Sequence, residues 1–253
     1  MVKRGEIMEN KHVEYRRIVK GARVAVLCVH GIMGTPNHFR DLVPLIPDDF
    51  SVLNIVIEGH CGSVSDFSHA SMRKWENCVE RAVNELLETH EEIYVLAHSM
   101  GTLLTMEQAM KEPRITRLFY LSVPIKVGLK PRFLDTAAKV YFNRVRPCDK
   151  YALAGVECYG ITDSKNIFKY LGWAPRFIDL FKKISQVRKR LLELQTPCTA
   201  YQSALDEMVS PKSIEILKRE SSIKVVTLEG SGHFYYSPED MEFLKLEFTE
   251  FLK

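Results

Sequence analysis

Residues 93 to 101, Ile93-Tyr94-Val95-Leu96-Ala97-His98-Ser99-Met100-Gly101, constrain the fold of this chain more than any other stretch. A short apolar run leads into a tight turn of small residues, and a helical pattern follows. This is how a chain presents a serine at a strand-to-helix elbow, with its hydroxyl standing above a sheet. The usual pattern is G-x-S-x-G, and here it reads A-x-S-x-G. Small residues two positions away on each side meet a steric need, because the elbow backbone is strained and lies close to the neighbouring strand and helix. Ala97 is still small. A bare S-x-G also occurs by chance, and Ser99 could then simply cap a helix.

Three further features bear on the choice. Val24-Ala25-Val26-Leu27-Cys28-Val29 reads as a buried strand running into the turn His30-Gly31-Ile32-Met33-Gly34. Acyl transfer needs two main-chain N–H groups aimed at a developing oxyanion. Met100, after the serine, and Ile32, in this turn, are the expected donors, with His30, Gly31 and His98 supporting the loops. Gly230-Ser231-Gly232-His233-Phe234 follows the apolar run Val225-Val226-Thr227-Leu228, so His233 sits on a flexible loop able to reach the serine as a general base. Asp206 follows the strand-like Cys198–Gln202 and precedes Ser210-Pro211, which opens a helix. It would orient the imidazole. Glu207 is its competitor; Asp163 and Asp179 follow no strand-like run.

The order Ser99, Asp206, His233 is that of the α/β-hydrolase fold. The chain resembles α/β-hydrolases of the bacterial carboxylesterase and monoacylglycerol-lipase kind. The resemblance rests on His30-Gly31-Ile32-Met33-Gly34, Gly59-His60-Cys61-Gly62-Ser63, Ala97-His98-Ser99-Met100-Gly101 and the Asp206/His233 pair. In the second motif Cys61 replaces the middle glycine of G-H-G-x-S, and His60 is given no catalytic role. The resemblance spans residues 20 to 250 and is weakest over 126–195. It implies a serine esterase acting through an acyl-enzyme on esters of small to medium acyl chain, without metal or organic cofactor. The alternatives are a monoacylglycerol lipase or thioesterase at a membrane surface, and a non-catalytic homologue that binds a small molecule.

Alternating apolar and amphipathic stretches predict an α/β fold with a mostly parallel central sheet flanked by helices. Strands are expected at 12–19, 24–29, 51–57, 93–97, 117–122, 197–202 and 223–228, the first an exposed edge because of Arg16-Arg17. Helices are expected at 36–46, 72–90, 100–112, 210–220 and 237–252. Residues 126–195 break the rhythm. They predict an inserted helical cap, with helices at 133–144 and 175–194 around an irregular middle, between core segments 1–125 and 196–253. Ligands of open α/β sheets bind beyond the carboxyl ends of the strands. The cap aromatics Phe133, Tyr141, Phe142, Tyr159, Phe168, Tyr170, Trp173, Phe177 and Phe181 are therefore expected partly to line an acyl pocket and mostly to pack the cap itself.

The 253 residues suit one such domain, and 46% hydrophobic with 26% charged residues suits a globular chain. The apolar runs are too short to span a bilayer, and residues 1–10 carry basic side chains without the apolar core of a secretory signal. Six cysteines show no C-x-x-C pair; Cys28 and Cys198 lie in apolar strands. A reduced, cytoplasmic protein is the expectation, with a Cys148–Cys158 bridge disfavoured. Net charge is +3, yet residues 126–190 hold fifteen basic against five acidic residues. That excess reads first as a solvated surface, and second as a basic mouth attracting anionic substrates or an anionic lipid surface. Nucleic acid is not an expected partner, since no recognised module is present. Oligomeric state is not legible.

Overall fold

The computed structural model describes residues 12–253. Seven strands form one sheet in the order β1-β3-β2-β4-β5-β6-β7. They are β1 (Tyr15–Arg17), β2 (Val24–Val29), β3 (Ser51–Ile55), β4 (Glu92–His98), β5 (Ile115–Leu121), β6 (Cys198–Ser203) and β7 (Ile223–Leu228). β1 pairs antiparallel with β3 at one edge; all other pairings are parallel. At that edge Arg16 pairs with Glu85 and Arg17 with Asp48, charges that blunt the strand against further pairing. All seven expected strands are present. The reading of residues 1–10 lies outside the described residues.

The central strands read as unbroken apolar runs because both their faces are covered. In β2, Ala25, Leu27 and Val29 join the core on one face, with α2 (Met72–Leu87), α3 (Met100–Ala109) and α6 (Trp173–Lys189). Val24, Val26 and Cys28 join the core on the other, with α8 (Pro238–Phe251). In α2, Trp75, Val79, Ala82, Val83 and Leu86 are buried at three- and four-residue steps. Ser71 and Ser237 cap α2 and α8 through their side chains, and Pro238 begins α8 where its missing N–H removes no helical bond.

Two expectations about helices fail. Residues 36–46 form two 3₁₀ turns, Pro36–Phe39 and Val43–Leu45, instead of one helix. Pro44 would remove an interior hydrogen bond and clash with the preceding turn. The supposedly irregular middle of 126–195 contains α5 (Lys150–Cys158). Between β5 and β6 the chain thus runs through α4 (Pro131–Tyr141), α5, a 3₁₀ segment (Ile167–Gly172) and α6, then a 3₁₀ turn (Leu191–Glu193). Gly155, inside α5, faces Thr136 and Val140 of α4: a Cβ there would lie 3.7 Å from the nearest of them. That is ordinary contact, so the glycine that hid the helix in the sequence lies at the meeting of the two helices without being required by it. A five-residue helix, α1 (Val64–Ser68), was also missed, although Ser63 and Asp66 form a capping box at its start. The remaining helix, α7, covers Lys212–Leu217.

Candidate active site

Everything at the site hangs from the carboxyl ends of the parallel strands. β2 lies between β3 and β4, so chain direction across the sheet reverses there, and the loops leaving β2 and β4 flank the resulting crevice. Ser99 occupies the elbow between β4 and α3 with φ 50° and ψ −123°, a conformation a non-glycine residue holds only when its surroundings impose it. Its N–H is tied to the Leu121 carbonyl of β5 at 3.0 Å. Thr102 returns both its N–H and its hydroxyl to the Ser99 carbonyl, at 2.9 and 2.7 Å.

The small residues around the elbow have identifiable reasons. A Cβ on Gly101 would lie 2.1 Å from the Val29 carbonyl oxygen, and one on Gly31 would lie 2.8 Å from the Ser99 Cβ. The two loops are therefore in backbone contact. Ala97 is buried in mid-sheet, and its single methyl fits. Cys61, standing where the motif expects glycine, takes a left-handed φ of 58°.

Ser99, His233 and Asp206 come together as the sequence reading expects. The Ser99 hydroxyl lies 3.1 Å from His233 Nε2, and His233 Nδ1 lies 2.9 Å from Asp206 Oδ2. The other Asp206 oxygen accepts the N–H groups of Met208 and Val209 at 2.7 and 2.8 Å. With a carboxylate at Nδ1, the imidazole proton sits there, and Nε2 is left to accept from the serine. Burial works against a charged His233, but the Asp206 carboxylate outweighs it and raises the histidine above its ordinary value. Asp206 is itself buried, yet His233 and the two main-chain N–H groups hold it below the usual carboxylate range. Such a relay turns a serine hydroxyl into a nucleophile.

Residues 31–34 form a turn closed by Gly34 N–H on the Gly31 carbonyl at 3.0 Å. That bond leaves the N–H of Ile32 outside the turn's own closure, while Met100 opens α3, where first-turn N–H groups have no helical acceptor. His30 ties this turn to the exit of β3. Its Nε2 accepts Ile57 N–H at 3.1 Å, and its Nδ1 donates to the Gly31 carbonyl at 2.8 Å. Burial lowers it to about 4, so it stays neutral. His60 packs against it at 5.0 Å between ring centroids and is lowered by burial to about 3.

Glu207, the rival acid, does not face the imidazole ring nitrogen; its Oε2 accepts the His233 main-chain N–H at 3.2 Å. Asp179 pairs with Arg176, and Asp163 accepts the hydroxyls of Tyr159 and Tyr170. His98 donates from Nε2 to the His233 carbonyl at 3.0 Å and stacks on His38 at 3.7 Å. The peptide of His233 is thus held at both ends, by Glu207 and by His98. Neither contact was visible in the sequence, because each joins residues that are remote along the chain.

A cavity of about 360 Å³ opens beside this relay. Phe133, Tyr141, Tyr159, Tyr170, Trp173 and Phe177 line it, together with Met33, Glu207 and Phe234 near the relay. Phe142, Phe168 and Phe181 instead face outward, being 60%, 74% and 49% exposed. All six cysteines are free thiols. Among the described residues no helix is long and apolar enough to cross a membrane.

The family model described as the alpha/beta hydrolase family matches residues 26–244, which contain every loop described above. The chain belongs to the alpha/beta hydrolase family. A thermostable monoacylglycerol lipase of Bacillus sp. (strain H-257) is 24% identical over 224 residues, covering 83% of this hydrolase and 82% of the relative. Among solved structures, one from the work on LipS and LipT, two metagenome-derived lipolytic enzymes, superposes with a TM-score of 0.71 at 19% identity, covering 96% of this chain and 98% of the other. The monoacylglycerol lipase of Paleococcus ferrophilus gives 0.63 at 17% identity, with 94% and 98% covered. At these identities the structural likeness speaks for the hydrolase fold.

Proposed function

We propose that this protein is a serine hydrolase that cleaves carboxylic esters of small to medium acyl chain through an acyl-enzyme. The observation that carries the reading is the unbroken relay Ser99 Oγ, His233 Nε2, His233 Nδ1, Asp206 Oδ2, with links of 3.1 and 2.9 Å, beside an apolar cavity. Ser99 Oγ adds to the acyl carbon while His233 Nε2 takes its proton. The main-chain N–H groups of Ile32 and Met100 receive the negative charge on the carbonyl oxygen. The C–O bond to the alcohol then breaks as the imidazolium returns the proton to the leaving oxygen. Water, activated by the same imidazole, releases the acid.

The cavity lies near the lower end of the usual range for ligand pockets, about 300–1,000 Å³, which supports a modest acyl group. The six free thiols support placement in a reducing compartment, the cytoplasm. Ser99→Ala should abolish turnover of p-nitrophenyl esters while leaving the denaturation midpoint near that of the unaltered protein. Retained turnover would remove Ser99 from the chemistry.

A second reading is supported by the exposed apolar side chains Tyr141, Phe142, Phe168 and Leu171 on α4 and the nearby 3₁₀ segment. They lie within residues 126–190, whose fifteen basic against five acidic side chains leave a net excess of ten positive charges, a combination suited to an anionic lipid surface. Likeness to a monoacylglycerol lipase points the same way. This reading predicts a sharp rise in activity when a monoacylglycerol or acyl-thioester substrate passes its critical micelle concentration, and binding to anionic vesicles. A smooth saturation curve and no vesicle binding would favour a soluble ester.

A further inference from the structure

A buried carboxylate touches His233 from outside the relay, and an arginine touches that carboxylate. Glu207 is 3% exposed, and one of its oxygens, Oε2, serves both the His233 N–H at 3.2 Å and Arg132 Nη2 at 3.5 Å. A carboxylate so deeply buried is costly without a cation. Arg132 comes from the first turn of α4, between β5 and β6. Its guanidinium lies 4.0 Å over the Tyr151 ring of α5 and also donates to the Leu205 carbonyl. It is delivered by a short antiparallel pairing between the two segments. Ser210 N–H bonds Lys126 O at 2.8 Å, Gly128 N–H bonds Met208 O at 2.9 Å, and Lys130 N–H bonds Glu207 O at 2.9 Å. The loop that carries Asp206 is thereby zipped to the start of α4.

Asp206 reaches His233 from the loop after β6, and His98 from the end of β4. His38, on the 3₁₀ turn before β3, stacks on His98, and burial holds both rings neutral. Lys150 of α5 sits over the Tyr235 ring at 4.7 Å. Tyr236 is buried and its phenol is held neutral by burial. Besides Asp206, this leaves Glu207 as the close charge, with Arg132 tied to it as the opposite charge one step further out.

We propose that Glu207 and Arg132 are positioning residues that set the proton affinity of His233, the carboxylate raising it and the arginine from α4 restraining that rise. The proposal rests on the reading of His233 as the base of an esterase. Because Arg132 belongs to α4, any displacement of α4 from the Asp206 loop would leave Glu207 uncompensated and make the base harder to deprotonate.

The test compares Glu207→Gln, Arg132→Gln and Arg132→Lys in the full-length protein. Two readouts are used: the pH dependence of the rate of fluorophosphonate labelling, and an NMR titration of ¹³C-labelled histidine, with the resonance assigned by its loss in His233→Asn. Glu207→Gln should move the His233 titration and the acid limb down by about half a unit to one unit, and Arg132→Gln up by a similar amount. Arg132→Lys should stay near the unaltered protein. A merely structural pair would alter the denaturation midpoint without opposite shifts. Shifts in one direction, or none, overturn the proposal, and Arg132→Gln alone decides it if Glu207→Gln does not fold. Absence of labelling in the unaltered protein would instead sink the esterase reading, with the NMR titration still judging the pair.

Discussion

Gly101→Ala is the substitution whose outcome the structure fixes most tightly. The new methyl carbon would sit 2.1 Å from Val29 O, 2.7 Å from His30 O and 2.8 Å from Val29 C, all backbone atoms of the end of β2 and the loop beyond it. Ordinary contact begins near 3.4 Å, so α3 must retreat by more than an ångström. Overpacking of this kind costs about 1–3 kcal/mol, and a clash with backbone belongs at the upper end. Replacing a helical glycine returns about 0.8–1 kcal/mol of propensity. The net loss is about 2 kcal/mol, or a fall in Tm of about 4–8 °C for a chain of this size. The same retreat carries Met100 and Ser99 with it, and misplacing reacting groups by about 1 Å lowers kcat by about 10²-fold. Gly21→Ala is the contrast. Gly21 has φ +79° and open space around it, so alanine there is conformationally strained without meeting anything. It should lose about 1 kcal/mol and leave kcat unchanged. Thermal denaturation and p-nitrophenyl butyrate hydrolysis read both quantities. Unaltered kcat in Gly101→Ala, at a Tm within a degree of the starting protein, would refute the argument that this glycine sets the approach of α3 to β2.

Other outcomes follow from the same geometry. Asp206→Asn should lower kcat by about 10⁴-fold, through loss of the carboxylate at Nδ1, while Glu207→Gln retains most turnover at its own optimum; steady-state kinetics of the two side by side check which acid orients the base. Gly155→Leu should fill the cavity between α4 and α5 and lower kcat/KM for p-nitrophenyl octanoate at least tenfold relative to the acetate ester. Stability should fall as pH drops from 7 towards 4. His30, His38 and His60 are buried neutral with values lowered to about 4, 3 and 3, so the unfolded chain binds protons below 6.5 that the folded one refuses. His233, raised by Asp206, works the other way: its contribution is present below 6.5 and fades as pH rises through its folded value. Urea midpoints at pH 7, 6 and 5 measure the balance, and a midpoint that rises towards pH 5 would contradict it.

The strands and the order of the relay were readable because they are written locally. Val24–Val29 and Glu92–His98 are buried on both faces and so appear as continuous apolar runs, and a serine after such a run has few places to go. Asp206 and Glu207 are adjacent in sequence, and only the path of the loop after β6 decides which carboxylate reaches Nδ1. The helix expected at 36–46 broke at Pro44, a local signal outweighed by apolar spacing. Helix α5 was hidden by Gly155, a residue that lowers helix propensity without ending the helix. The division of the aromatics was equally out of reach. Tyr141 lines the cavity and Phe142, the next residue, faces outward, because the packing of α4 against α5 and of Tyr141 against Tyr170 decides it.

The most direct measurement of the central claim is covalent labelling by a fluorophosphonate, followed by peptide mass mapping of the adduct. One adduct per chain, on the peptide containing Ser99, and its loss in both Ser99→Ala and His233→Asn, is the predicted result. Labelling of another residue, or no adduct on a folded protein, would contradict the claim that the relay makes this serine a nucleophile.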